Sequence, residues 1–344
     1  MKRKLALVLG NSNADYSLDE GAFASFHERV LVVSNRRERQ FNIALPKTPQ
    51  RGEKITINKI TVERILASGA FSKSKPGGCG FHFAAKLRQF SSSQGVDLQI
   101  IFADSSAPSP VVRDWCSDLD VEYVPLSQHS AQRNFVVQGE DKIILREAIA
   151  LTDTNDMPDL LSPISKRADI VALVAPKSVE LCKPFADREI DLAMITPSVP
   201  PSAIELIGTA KIVIGNLCEL SDAGFRLGLN VESRDENAPD AVAAAVKLLC
   251  SLRGKNCAGV ESVCTLGKHG AVLSLQQRDR SVHLRPLFPA VQTRSGTGDA
   301  TAAALLLQRI TQPHRCPAMR TAVALANIAE WVGAPHDDIE LCWL

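Results

Sequence analysis

Short apolar runs bounded by turn-forming residues recur along the chain at 4–9, 98–102, 170–174, 191–195, 211–214 and 261–265. Runs of this length without polar alternation suit strands of a parallel sheet that is covered on both faces. Helix-length patterns lie between or beyond several of them, at 80–90, 238–252, 300–310 and 320–332. The clearest is "APDAVAAAVKLLCSL" (238–252), with Pro239 near its start, where a missing N–H is harmless. Consecutive parallel strands need a crossover, and a helix is the usual one. The alternation therefore predicts an α/β fold: a doubly wound, mostly parallel central sheet flanked by helices. A chain of 344 residues is long enough for one such domain spanning 1–344, with a sizeable core.

Two stretches break this rhythm. Residues 30–75 hold alternating segments such as "KITINKITVERI" among Pro, Gly and many charges. Residues 133–147, "RNFVVQGEDKIILRE", read as a β-hairpin, with two β-rich arms around Gln-Gly-Glu-Asp. Strands without intervening helices do not join a parallel sheet readily. These two segments are expected to form a small separate β-sheet that overhangs the main one as a lid. The long 30–75 segment suits closure over a substrate, or homodimerisation through exposed strand edges. Its charged "SNRRERQ" also fits a partly disordered insertion.

Composition removes several classes of function. With 39 basic and 38 acidic residues the net charge is +1, which leaves no basic excess for a phosphate backbone. Aromatics are 5% of the chain, too few for base-stacking platforms, so nucleic acid is not an expected partner. The start, "MKRKLALVLGNSNAD", imitates a signal peptide, but its apolar run is short and ends in Gly-Asn-Ser-Asn instead of a cleavage site. No apolar run approaches the ~18 residues of a membrane span, so no membrane association is expected. Nine scattered cysteines without a C-x-x-C pair suggest reduced thiols and a cytoplasmic location.

Chemistry is concentrated in "TRSGTGDATAAALLLQRI" (293–310). Small residues at 295–298 let the backbone turn tightly, and the helix expected from about Ala300 adds its positive N-terminal dipole. Together they would make a cradle for a phosphate or a phosphoryl transition state. Asp299 at this point is either an N-cap or a general base beside an anion hole. The stretch lacks the lysine of a Walker A loop and the serine of a hydrolase elbow.

"SGTGDATAAALL" resembles the C-terminal signature of the ribokinase-like (PfkB) carbohydrate kinases, and other segments match that family in order. The resemblance implies that Gly296, Thr297 and Gly298 form an anion hole and that Asp299 is the catalytic base. "VLGNSNADYSL" is similar to the family's first strand and following loop, in which Asn13 and Asp15 would hold sugar hydroxyls. "PKTPQRGEKIT" (46–56) resembles the segment leading into the lid, and "PGGCGFHFAAKL" (76–87) the glycine-rich substrate motif, implicating Gly77, Gly78 and His82. "VIGNLCEL" (213–220) matches an N-x-x-E motif carried by Asn216 and Glu219, with Glu219 acting on Mg²⁺ through water. "VCTLGKHGAVL" (263–273) looks like the nucleotide-site strand-turn-strand, placing Thr265 and Gly267 by the nucleotide and Gly270 in the turn. "ANIAEWVGAP" (326–335) resembles the closing helix and its Gly-Ala step, with Asn327 on the adenine side.

The same residues have plainer readings. Asp15 past a strand end suits a ligand crevice, but also a turn. Gly77 and Gly78 suit a plain βα turn. Asn216 and Glu219 suit an Asn turn beside a solvated Glu, and Thr265 to Gly270 a bare β-turn with Lys268 and His269 at its tip. Asn327 is a mid-helix polar residue. Arg146 and Glu147 either reach a substrate or pair with each other at the surface, and the surface pair is expected. Asp104 ends a strand with no phosphate-shaped sequence beside it.

The chain also departs from the family. Thr293 and Arg294 stand where an acid and a threonine are usual. The acid serves monovalent-cation binding in many members, so potassium activation is left unsupported. His82 replaces an asparagine, which changes shape and pH response at a sugar contact. "ALVAPKS" (172–178) lacks a further substrate-binding acid. Taken with its motifs, the resemblance implies an ATP- and Mg²⁺-dependent kinase acting on a hydroxymethyl group of a sugar or sugar-like substrate. The alternatives are a nucleoside or pseudouridine kinase, and a non-catalytic sugar- or nucleotide-sensing protein on the same scaffold.

Overall fold

In the computed structural model the described residues are 3–343, apart from 38, 50–53, 107–108, 127–131, 138–142, 149–156, 198, 232, 258, 276–280, 287–295 and 333–338. A ten-stranded sheet forms the centre. Its first strand, Lys4–Gly10, runs parallel to Leu98–Asp104 on one side and to Ile170–Val174 on the other. Glu122–Pro125 extends the first side. Leu192–Met194, Ile212–Asn216 and Glu261–Thr265 extend the second, all parallel. Three antiparallel strands, Ala271–Leu275, Ser281–Pro286 and Ile339–Trp343, finish that edge. The chain thus builds outward on one side of its first strand and then crosses to the other. Such a reversal opens a crevice at the carboxyl ends of the strands.

Consecutive side chains of a strand point to opposite faces. Leu5, Leu7 and Leu9 join one core, beneath helices Met157–Arg167, Pro201–Ile207, Leu217–Arg226 and Ala241–Gly254. Ala6 and Val8 join the other, beneath Cys79–Ser93, Pro110–Asp118, Thr297–Thr311 and Pro317–Val332. Burial on both faces explains the unbroken apolar runs, and each buried Leu or Val contributes about 1.5–3 kcal/mol. Glu261 ties two of these helices to the sheet. Its Oε1 accepts from Arg309 at 2.8 Å and also from Arg320. No helix among the described residues is long and apolar enough to cross a membrane.

The separate small sheet is present. It has five strands, in the order Lys54–Ile57, Ile143–Glu147, Arg133–Val137, Asn13–Leu18, Phe71–Gly77. The expected hairpin arms pair antiparallel, Asn134 opposite Arg146, while Arg133–Val137 runs parallel to Asn13–Leu18. A three-stranded sheet, Phe23–His27, Val30–Ser34 and Gln40–Ala44, shares a third core with it through Leu31, Val33, Ile55, Phe71, Phe135 and Leu145. One expectation is corrected. "KITINKITVERI" is strand only over Lys54–Ile57, and Lys59–Ala67 is a helix. Asn58 caps it by accepting the Thr61 N–H at 2.9 Å, and Val62 and Ile65 face the third core at helical spacing. The turn at 138–141, Thr293, Arg294 and the Gly-Ala step at 333–334 lie outside the described residues.

Backbone meets backbone where the first strand ends. A Cβ at Gly80 would lie 2.5 Å from the Asn11 nitrogen and 2.7 Å from the Gly10 Cα. Gly80→Ala is therefore expected to cost about 1–3 kcal/mol of unfolding free energy through overpacking. Gly254→Ala, in open space at a helix end, should be neutral or gain up to about 1 kcal/mol. Urea unfolding of the two variants checks this contrast.

Candidate active site at the carboxyl edge of the sheet

Leaving Gly10, the chain passes Asn11 and Ser12 into the five-stranded sheet. Asp104, at the end of the neighbouring strand and fully buried, fastens this passage. It accepts the Ser12 N–H at 2.9 Å, the Ser12 hydroxyl, the Ser106 N–H at 2.9 Å and the Tyr123 hydroxyl at 3.0 Å. Burial pushes its carboxyl above the usual carboxylate range, against the opposing pull of these donors. Asp104 is thus a positioning residue that the sequence reading left without a role. The signal was present in "FADSS", a strand-ending acid followed by two donors.

Asp15 does not lie in a loop. It sits within the strand Asn13–Leu18, in register with Asn134 and Lys75. The Asn134 side chain donates to its Oδ1 at 2.9 Å. A Cβ on Gly77 would come 2.1 Å from Asp15 Oδ2, so the carboxylate lies directly against the Gly77 backbone. Asn13 and Asn134 are 5% and 4% exposed, and among the described residues none donates a hydrogen bond to the Oδ1 atom of either. Gly78 takes φ +95°, a conformation that side-chain-bearing residues rarely adopt, and opens the helix Cys79–Ser93. Asn11 O receives the Gly80 and Phe81 N–H groups at 3.1 and 3.3 Å, and His82 follows on the same turn.

The second wall is the start of the helix Thr297–Thr311. It begins about three residues before the expected start, and its cap is Gly296 at φ +84°, without a side-chain cap bond. Asp299 is therefore the third helical residue, not the N-cap, and it is 6% exposed. The Gly296 carbonyl takes the Ala300 N–H at 2.9 Å. The N–H groups of Thr297, Gly298 and Asp299 have no acceptor within the helix, as in any first turn. A Cβ on Gly296 would lie 3.8 Å from Asp299 Oδ2 and 3.9 Å from His82 Cγ, while one on Gly298 would lie 3.9 Å from Met194 Cε. The fold thus gathers Asp299, Gly296 and His82 at one spot, above the end of Leu192–Met194.

Further along the same edge, Asn216 and Glu219 form a capping box on Leu217–Arg226. Asn216 Oδ1 accepts the Glu219 N–H at 2.8 Å, and Glu219 Oε2 accepts the Asn216 N–H at 2.9 Å. Thr265 is in register beside Asn216. Gly267 takes φ +52°, and a Cβ there would lie 3.1 Å from Glu236 Oε1. At Gly270, φ +83°, a Cβ would come 2.0 Å from the Leu284 carbonyl oxygen, so this glycine serves the turn. Asn327 is half-buried on Pro317–Val332, and no hydrogen bond among the described residues joins it to Thr265 or Gly267.

The expected Arg146–Glu147 pair does not form, because adjacent strand residues point to opposite faces. Glu147 instead takes Arg133 at 2.7 Å, and Arg133 also reaches Glu63 at 3.3 Å on the helix over the third core. Arg146 shares the opposite face with Asn134 and Asp15. Lys177, half-buried just past Ala175 and Pro176, feels the charges of Arg146 and Asp104. Burial first, then Arg146, lowers its pKa.

Asp104→Asn removes one anionic acceptor from a fully buried knot. It is expected to cost about 1–3 kcal/mol, read by urea unfolding. Lys177 gives a pH signature. Its folded pKa lies below the ordinary lysine value, so between the two the unfolded chain holds the extra proton and stability from this group rises with pH. Lys177→Met should thus unfold at a higher temperature than the natural chain at neutral pH, with the gap closing as pH approaches ~10.4.

No protein-family model matches the chain, and no curated protein matches its sequence. Its fold is nevertheless similar to solved structures end to end. Adenosine kinase from Schistosoma mansoni, in complex with 2-fluoroadenosine, aligns with a TM-score of 0.63 at 14% identity, over 96% of each chain. Ribokinase from Cryptococcus neoformans var. grubii, in complex with ADP, aligns at 0.59 and 14%, over 94% of this chain and 92% of that one. Phosphofructokinase-2 from Escherichia coli, in complex with fructose-6-phosphate, aligns at 0.57 and 16%, over 96% and 94%. At these identities the likeness speaks for architecture. The doubly wound sheet with its smaller companion is the ribokinase-like fold, shared with sugar and nucleoside kinases.

Proposed function

We infer that this chain is a phosphotransferase of the PfkB type, moving the terminal phosphoryl group of ATP to a hydroxymethyl oxygen of a sugar or sugar-like acceptor. The observation that carries the reading is the position of Asp299. It is a buried carboxylate on the first turn of a helix, within about van der Waals reach of the Gly296 turn that His82 also flanks. In the proposed reaction, Asp299 takes the proton of the acceptor hydroxyl as that oxygen bonds to the γ-phosphorus. The bond from phosphorus to the β–γ bridging oxygen breaks, and ADP leaves. The first-turn N–H groups of Thr297, Gly298 and Asp299, with the helix dipole, face the charge on the transferring group.

Asn13, Asp15, Gly77, Gly78 and His82 hold the acceptor in this reading. Asp15 and the unfilled Oδ1 of Asn13 take its hydroxyl donors, and the bare Gly77 and Gly78 backbone admits it closely. Thr265, Gly267 and Asn327 lie on the nucleotide side, with Gly270 shaping the turn. Asn216 and Glu219 offer oxygen donors, which suit Mg²⁺ held through its waters. When bound, the ion would neutralise charge on the phosphates. The five-stranded sheet and its three-stranded neighbour serve as the lid of one ribokinase-like domain.

Asp299→Asn is expected to retain folding and ATP binding while lowering turnover by roughly 10²–10⁴-fold. ADP release across a panel of pentoses, hexoses and nucleosides, with calorimetric ATP binding alongside, is the measurement. Turnover retained by Asp299→Asn would remove the base. ATP and sugar binding by the natural chain, with no ADP release for any acceptor, would favour the sensing protein instead.

A further inference from the structure

One face of the five-stranded sheet carries a polar row. The register aligns Thr56, Arg146, Asn134, Asp15 and Lys75 across its five strands. Their neighbours Ile55, Leu145, Phe135 and Tyr16 point the other way, into the third core. The row faces the main sheet, since Asp15 lies against Gly77 at the mouth of the Cys79–Ser93 helix and Arg146 acts electrostatically on Lys177.

Two features of this row are unbalanced. Among the described residues, Asn13 Oδ1 and Asn134 Oδ1 are buried acceptors without donors, and they flank Asp15, whose Oδ1 accepts from Asn134. The two amide oxygens ask for hydroxyl donors. Arg146 is the reverse case. Its Nε is buried without an acceptor, and no ion pair among the described residues involves either Arg146 or Lys177. The acids nearby are already committed. Asp104 is occupied by Ser12, Ser106 and Tyr123, Glu147 by Arg133, and Asp15 by Asn134. Two cations thus share a half-buried place beside hydroxyl-seeking groups, with only repulsion between them. Ala175, just past the strand Ile170–Val174, takes φ +51° two residues before Lys177.

Resting on the kinase reading above, we propose that the acceptor is a polyhydroxy compound bearing a carboxylate or phosphate, its charge received by Arg146 and Lys177 and its hydroxyl groups by Asn13, Asp15 and Asn134. An anion between the two cations turns their repulsion into attraction and gives the buried guanidinium nitrogen its acceptor.

The test uses binding without ATP, so that it stands apart from turnover. Calorimetry on the full chain compares a neutral hexose, the matching hexonate and the matching hexose monophosphate. At least one anionic member is expected to bind roughly tenfold or more tightly than the neutral one, with affinity falling as salt rises. The preference should collapse in Arg146→Met and in Lys177→Met, and Lys177→Met should not lose thermal stability at neutral pH. Which anion binds best separates carboxylate from phosphate. No anionic member binding more tightly than the neutral sugar would overturn the proposal, as would a preference that survives both substitutions. An anionic ligand that binds with that preference yet releases no ADP would instead remove the kinase reading and leave the anion site standing.

Discussion

The structure depends on a place where no side chain fits. Gly10, Asn11, Gly78 and Gly80 bring the end of the first strand and the start of the Cys79–Ser93 helix into backbone contact, with Asn11 O taking two N–H groups of that helix. Three pieces are set by this one approach. The first strand lies at the switch of sheet order, the helix carries His82, and the chain leaving Asn11 becomes the strand that carries Asp15. A methyl group at position 80 would push these pieces apart together. The Asp104 knot completes the arrangement from the other side, holding Ser12 to the end of Leu98–Asp104.

The main sheet was legible because its strands are buried on both faces. Runs such as 170–174 and 261–265 lie at the very bounds the apolar pattern indicates. Pattern reading weakened wherever only one face is covered. Glu122–Pro125 at one edge and Ser281–Pro286 near the other mix polar and apolar residues and give no comparable run. "KITINKITVERI" misled for a related reason. Its Ile and Val residues favour strands, yet Asn58 caps a helix and Val62 and Ile65 repeat at helical spacing, so tertiary packing decided between two periods. Asp15 looked like a loop residue because Asn-Ala-Asp follows a complete strand. Nothing local signals that the chain at once enters a second sheet.

The candidate site was legible in its residue types more than in their arrangement. The glycine step before Asp299 correctly marked a tight turn, but the capping role belongs to Gly296, which leaves the carboxylate on the inner side of the first turn. Pairwise roles were harder. Glu147 found Arg133 across the hairpin, a partner that becomes a neighbour only once strand register is known. Asp104 and Lys177 act on groups far along the chain from them, Ser12 and Arg146, so no local window contains either relationship.

The site also sets stability against use. Asp104, Asp299, Asn13 and Asn134 are polar side chains less than a tenth exposed, and Lys177 keeps a cation where burial disfavours one. Such groups destabilise a fold unless each is answered, and here the answers come unevenly. Asp104 is met by protein donors, while the Oδ1 atoms of Asn13 and Asn134 and the Nε of Arg146 are not. These three share the face of the five-stranded sheet that is turned to the main sheet, whereas Arg133, Glu147 and Glu63 on its other side satisfy one another. A sheet that balances its charges against its own core, and leaves them unbalanced toward the main sheet, is the physical basis of the anionic acceptor proposed above. The strain of holding those groups is borne by two large cores on either face of the main sheet and by a third beneath the row itself.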